Sequence, residues 1–370
     1  MSFSDSNALL LLSLLSLTNI FQVLLSILTS GAKIKNLLIG NFLAAHLVLA
    51  FCTGGYLFYQ FPSSVALIGV FFYFYLTAFG DTFWWPFIHP QIPKERVNSF
   101  FTRLRVTWAT FSFIGVLALK NVTEKLEGET GLVWFIFGVG FVGAFRIIFL
   151  LLMKTPTDHC RDKKISFSDV VGVLKSLLKK KELHFIFLFV FFEPLFGPTL
   201  ILFLNELGIS KSDNFLIQAT GLLSTVISLV YFNQKLKKVE ESIMIQWMKY
   251  PVVFFIGLLC LSIFIPQKFV LILCMILIKF LMGLVFAGVH LIYINRLFRT
   301  IDSSYRSISM GVMNLLVFST FFGAEIIFSM MLKIINWLNL AEYKFVMSFS
   351  VFFLFSIVLF LKREKPSTVR

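Results

Sequence analysis

The chain has 370 residues, of which 58% are hydrophobic and only 14% charged, with 48 phenylalanines and apolar runs of membrane-spanning length recurring along its whole extent. That composition excludes a water-soluble globular protein. Because every backbone N–H and C=O must be satisfied inside a spanning segment, it predicts an all-α polytopic membrane protein. The formal net charge of +14 needs no nucleic acid partner, since its Lys and Arg residues collect in alternate loops.

Taken in chain order, apolar spans are predicted at residues 8–30, 36–60, 64–89, 103–120 and 131–153, then after a polar break at 184–206, 213–232, 250–266, 269–294, 307–332 and 345–361. This gives 11 transmembrane helices, 5 before the break and 6 after it. The first span lacks a basic leader, carries Asp5 ahead of it and has no small-residue cleavage site, so it reads as a retained helix and not a signal peptide. Alternate loops hold 25 of the 33 Lys and Arg residues, including Lys33, Lys35, Arg96 and eight between Lys154 and Lys181; the opposite loops hold 6. Positive charge is retained inside, which predicts an amino terminus outside, a carboxyl terminus in the cytoplasm and a home in the plasma (inner) membrane.

The polar break at 154–183 is basic, and Ile165 to Leu183 reads as an amphipathic helix. Ser168 or Asp169 would be its N-cap, with Val170, Leu174 and Leu177 on one face and Lys179 to Lys181 in water. Such a helix is expected at the inner lipid surface. Three regions follow: 1–153, a cytoplasmic linker at 154–183, and 184–370. Four cysteines, three of them in spans, show neither a disulfide framework nor metal-ligand spacing, and no cofactor or metal is expected.

A shift of about 205 residues superimposes the loop order of the two parts. Lys33 falls on Lys238, Pro62 next to Pro266, and Arg96 among Arg296, Arg299 and Arg306. Applied backwards, the shift sends the span at 184–206 ahead of Met1, so the first part is expected to lack a counterpart of it.

Five plus six helices around a basic central loop resemble the major facilitator superfamily with the first of its twelve helices missing. The stretch Thr-Ser-Gly-Ala-Lys-Ile-Lys at 29–35 resembles that family's loop after its second helix, with Gly31, Lys33 and Lys35 matching and the Asp-Arg pair absent. Pro-Lys-Glu-Arg-Val-Asn-Ser-Phe-Phe at 93–101, which contains Arg96, resembles the loop before the fifth helix, and Asn-Glu-Leu-Gly-Ile-Ser at 205–210 the one after the seventh. The resemblance implies two helical bundles around a central cavity lined by helices one, four, seven and ten. It also implies a small-molecule substrate, with a second copy or a partner helix standing in for the missing one.

Ionisable groups inside spans are costly unless they face a cavity or a partner, which singles out Asp81, Arg146, Glu193, Lys279 and Glu325. Glu193 and Lys279 lie at matching depth near the midplane, on the seventh and tenth helices of the family scheme, and are expected to form a charge pair that substrate or a proton breaks. A static pair pinning two helices is the competing reading. Asp81 is a further candidate for substrate or proton, Glu325 for a second carboxylate of the cavity, and Arg146 for a partner of Asp81 or a side chain reaching the headgroups. His46 and His290 read as hydrogen-bonded packing residues, and Trp84 as part of an interfacial belt. Pro194 and Pro198 should break the seventh helix around Gly197, beside the cavity.

The function this predicts is secondary active transport of a small solute by alternating access, with proton coupling. A polytopic enzyme would need catalytic clusters at a membrane surface, and the loops offer neither paired carboxylates nor a nucleophile elbow. A non-transporting or partner-dependent descendant of the family is the alternative.

Overall fold

The computed structural model describes residues 33–88, 91–92, 96–125, 129–153, 166–235, 241–300 and 306–361, together with Gln22, Val23 and Ile27 ahead of them. The first span and Gly31 otherwise lie outside the described residues. In order, the helices are α1 (Ile34–Tyr59), α2 (Ser63–Ile88), α3 (Val97–Lys125), α4 (Glu129–Leu152), α5 (Phe167–Leu178), α6 (Lys181–Phe192), α7 (Pro198–Glu206), α8 (Lys211–Lys235), α9 (Glu241–Ser262), α10 (Lys268–Thr300), α11 (Arg306–Trp337) and α12 (Lys344–Leu361). A 3-10 turn, Glu193–Phe196, joins α6 to α7. Among the described residues eight spans are long and apolar enough to cross a membrane: α1, α2, α4, the α6–α7 run, α8, α9, α10 and α11. The protein is thus an all-α polytopic membrane protein.

Local chemistry sets the ends of these helices. At the close of α1, Gln60 adopts a left-handed conformation (φ 56°), and the backbone turns back so sharply that a Cβ on Gly55 would sit 2.4 Å from the Phe61 ring. After α7 the left-handed residue is Gly208 (φ 69°), with Ile209 N–H donating to the Leu204 carbonyl at 3.0 Å; Ser210 then caps α8 through the Asp213 amide. Lys344 closes the same end of the molecule with an ion pair to Glu206 at 2.9 Å.

In the first half α1 packs on α2 and α4 around Leu38, Phe42, Phe83, Phe87 and Leu150. The second half repeats that arrangement: α9 packs on α10 and α12, and α2 and α10 begin 205 residues apart, at Ser63 and Lys268. Its core is built from aromatics, with Phe328 within 5.5–6.3 Å of the Phe345, Phe349 and Phe352 rings. Other phenylalanines, Phe51, Phe111 and Phe149 among them, stand exposed on the outer surface, where a bilayer's acyl chains would meet them. The phenylalanine excess therefore serves both core and lipid contact.

The halves meet along two seams. In one, α3 runs against α8, with Val106 packed on Leu229, Ala287 and Leu291. In the other, α11 meets α2, and Val23 packs in one cluster with Ile308, Val312 and Met313. There Asn314 Nδ2 donates to Gln22 Oε1 at 2.8 Å, while Gln22 Nε2 donates to the Ala78 carbonyl at 3.0 Å. Gln22 is 1% exposed, so this polar tie is buried.

The linker helix differs from its expected setting. It starts at Phe167, capped by Ser166 in a capping box with Asp169, not by Ser168 or Asp169, and it ends at Leu178 without running on to Leu183. Its apolar face is taken by protein: Val170 and Leu177 pack with Leu183, Ile186, Ile308 and Val312. Burying those side chains against α6 and α11 satisfies the same hydrophobic demand that a lipid surface would.

Candidate functional site

Helix geometry converges on one cavity of about 890 Å³ between the halves. The first half contributes Asp81 and Trp84 from α2, Arg105 and Trp108 from α3, and Arg146 from α4; the second contributes Glu193, Gly197, Gln218, Lys279 and His290. Three candidates far apart in sequence, Asp81, Glu193 and Lys279, thus share one wall system.

The second half positions its charges through a broken helix. Pro194 has no N–H for the Val190 carbonyl, and the Glu193 amide reaches that carbonyl instead. Pro198 likewise has none for the Pro194 carbonyl, so Gly197 N–H donates there at 3.2 Å. Gly197 takes φ −112°, ψ −109°, and the helix resumes at Pro198 on a new course. The interruption leaves the Phe196 carbonyl facing the cavity, and the Lys279 ammonium donates to it. A backbone carbonyl freed inside a membrane needs such a donor, and a lysine from the facing helix supplies it.

Glu193 itself bonds elsewhere. Nε2 of His290 faces both of its carboxylate oxygens at 3.3 Å. The expected direct pair with Lys279 is therefore replaced by one with His290, one helix but three turns away from Lys279; Lys279 and Arg105 remain within electrostatic range of the carboxylate. His290, expected as a packing residue, is a lining group, whereas His46 is 7% exposed and donates from Nδ1 to the Phe42 carbonyl at 2.6 Å.

Lys279 reaches its carbonyl because α8 and α10 cross closely. A Cβ on Gly283 would fall 2.0 Å from Ser224 Oγ and 2.5 Å from the Gly221 carbonyl, and one on Gly221 would meet Lys279 Cε at 2.8 Å. Ser228 Oγ donates to the Leu284 carbonyl across the same crossing at 2.6 Å.

On the opposite wall the Arg146 guanidinium lies 3.3 Å over the Phe42 ring. Its Nε and Nη2 atoms are buried without a hydrogen-bond partner among the described residues, and so is Nε2 of Gln218. Asp81 is within electrostatic range of Arg146, but no hydrogen bond joins them. Arg146 faces inward and does not extend toward headgroups, and Trp84 belongs to the cavity wall and not to an interfacial belt alone.

The remaining candidates lie outside. Glu325 is 1% exposed on α11, with Oε2 unpartnered among the described residues, but it does not line the cavity. Lys35 donates to the carbonyls of Leu151 and Met153 at 3.0 and 2.6 Å, capping the end of α4, while Lys33 and Arg96 stand exposed at helix starts. Among the described residues no cluster of three His, Cys, Asp or Glu side chains could hold a metal.

A charge-lined cavity between two similarly arranged helical halves defines a polytopic membrane protein with a central chamber. Comparison with solved structures specifies the fold: it is that of major facilitator superfamily transporters. The nucleoside transporter NupG superimposes with a TM-score of 0.62 and 13% identity, over 98% of this chain and 92% of that one. FucP in its outward conformation gives 0.61 and 13% identity over 97% and 91%, and a variant described as the E. coli fucose:proton symporter gives 0.57 and 15% over 96% and 94%. No family model matches the sequence, and no curated protein is significantly similar to it.

Proposed function

We propose that the protein is a secondary transporter that moves a small solute by alternating access of the central cavity to the two membrane faces. The observation that carries this reading is the cavity's construction: Asp81, Arg105 and Arg146 come from one half and Glu193, Lys279 and His290 from the other. A solute bound among them contacts both halves, so its binding energy can differ between arrangements of the halves, which is what coupling a ligand to a conformational change requires. The fold shared with a nucleoside transporter and a fucose:proton symporter supports the same reading.

In this mechanism Glu193 and His290 exchange the coupling proton. Protonating the carboxylate weakens its hold on His290, and both belong to elements that can shift: the 3-10 turn and the long α10. Lys279 ties the broken helix to α10, so a change at Glu193 is transmitted to the α6–α7 course through the Phe196 carbonyl. Residues 1–153 and 184–370 move as the two bundles, with the linker 154–183 between them. The loop-charge bias supports a plasma (inner) membrane protein with its basic loops on the cytoplasmic side.

The test is uptake into proteoliposomes with and without an imposed pH gradient. Gradient-driven accumulation is expected in the native protein, and Glu193→Gln should lose accumulation while retaining exchange of solute across the membrane. Equal accumulation by Glu193→Gln and the native protein would overturn the proton role.

A further inference from the structure

On α3 the cavity wall and the outer surface run into each other. Leu104 and Trp108 line the cavity, and Phe111 and Gly115 continue the same helix face one and two turns further on. Trp108 is 65% exposed although it lines the cavity, and Phe111, which does not line it, is 71% exposed. A Cβ on Gly115 would meet nothing within 4 Å, so the stripe stays open for a further turn. The facing helix α8 is built differently. There Gln218, Leu222 and Thr225 line the cavity while Leu223, Ile227 and Val230 are exposed, but buried Ala219 on one flank and buried Ser224 and Ser228 on the other keep the two surfaces apart. No buried residue separates Trp108 from Phe111 on the face of α3 that they share. Phe111 falls at the middle of the span predicted at 103–120, so an opening beside it meets acyl chains and not water. Behind the stripe the cavity is walled by Trp84, Phe196, Phe286 and Phe321, and it holds Glu193 and His290, both partly exposed. An apolar path that ends at a polar pair fits a molecule with a tail and a head. The tail stays among hydrocarbon and aromatic rings throughout, and the head finds hydrogen-bond partners that the bilayer core lacks.

Resting on the transport reading, we propose that the cavity opens sideways into the bilayer past Trp108 and Phe111, and that its solute is an amphiphile drawn from the membrane. Its apolar tail lies along Leu104, Trp108 and Phe111, and its polar head sits beside Glu193 and His290. The exposed apolar stripe is then the entry route, and a wholly water-soluble solute has no use for it.

The experiment is tryptophan quenching in lipid nanodiscs, with variants that keep only Trp84, only Trp108 or only Trp134 and carry Phe at the other tryptophans. Brominated phosphatidylcholine should quench Trp108 as strongly as Trp134, which is exposed on α4 and serves as the lipid-facing control. A brominated single-chain lysophosphatidylcholine, added at a low fraction, should also quench Trp84 inside the cavity. Phe111→Gln should weaken that quenching of Trp84 and leave Trp134 unaffected. Quenching of Trp108 by aqueous acrylamide but not by brominated chains, a Trp84 that the single-chain probe does not reach, or a Trp84 signal indifferent to Phe111→Gln would overturn the proposal. If the single-tryptophan variants do not fold, the fall in bromine quenching on Trp108→Phe in the otherwise native protein decides: a fall supports the side opening, and no fall overturns it. Proteoliposome assays separate the two readings. An amphiphile that reaches Trp84 but is not moved across the membrane overturns transport alone, and accumulation of a tail-less water-soluble solute, with Trp108 out of reach of bromine, overturns only the sideways route.

Discussion

Gly221 and Gly283 face each other across the α8–α10 crossing, and the two predict different outcomes for the same change. A Cβ on Gly283 meets backbone and a buried Ser224 hydroxyl, groups that cannot yield without moving a helix. Gly283→Ala should therefore destabilise the protein by roughly 1–3 kcal/mol, read as a fall in the thermal midpoint in detergent. A Cβ on Gly221 meets the flexible stem of Lys279, which can swing aside. Gly221→Ala should draw the ammonium away from the Phe196 carbonyl, lowering uptake several-fold and the thermal midpoint as well, by the loss of that bond and not by a displaced helix. Charged side chains in apolar runs are conspicuous in any sequence, which is why Glu193, Lys279 and Asp81 could be picked out. The part of His290 could not, because it reaches Glu193 through helix rotation, and one-dimensional spacing does not report rotation against a neighbour.

The α6–α7 run shows how far an element is legible. Two prolines four residues apart remove backbone donors at chemically defined places, so a break there could be read directly. What the break is for depended on Lys279, 83 positions from the carbonyl it bonds. The linker helix carries the opposite lesson: its amphipathic pattern was plain, but an apolar stripe does not say whether lipid or protein will cover it. Its cap offers a clean test. Ser166→Ala removes one side of the capping box with Asp169 and should cost α5 about 1 kcal/mol. Hydrogen exchange should quicken in the amides of α5, with those of α9 and α12 unaffected.

At the scale of the molecule the two halves are held by buried contacts that the proposed alternating access would have to break and remake. The tie from Asn314 through Gln22 to the Ala78 carbonyl is the polar part of one seam. Asn314→Leu removes the hydrogen bond that Gln22 Oε1 accepts across the seam and should lower stability by roughly 1 kcal/mol, with faster hydrogen exchange at the facing turns of α2 and α11 and not along the α3–α8 seam. The sequence by itself determined the membrane class, the order of the eight described spans, the repeat of about 205 residues and the break in the α6–α7 run. Each of these rests on a local quantity: apolar length, loop charge, or a missing N–H. Only the tertiary structure decided that Glu193 bonds His290 and not Lys279, that Arg146 and Arg105 join the cavity, and that Glu325 does not line it. Those outcomes turn on a few ångströms of helix rotation and crossing, set by the packing of Gly221, Gly283 and the phenylalanine core, which no single segment encodes alone.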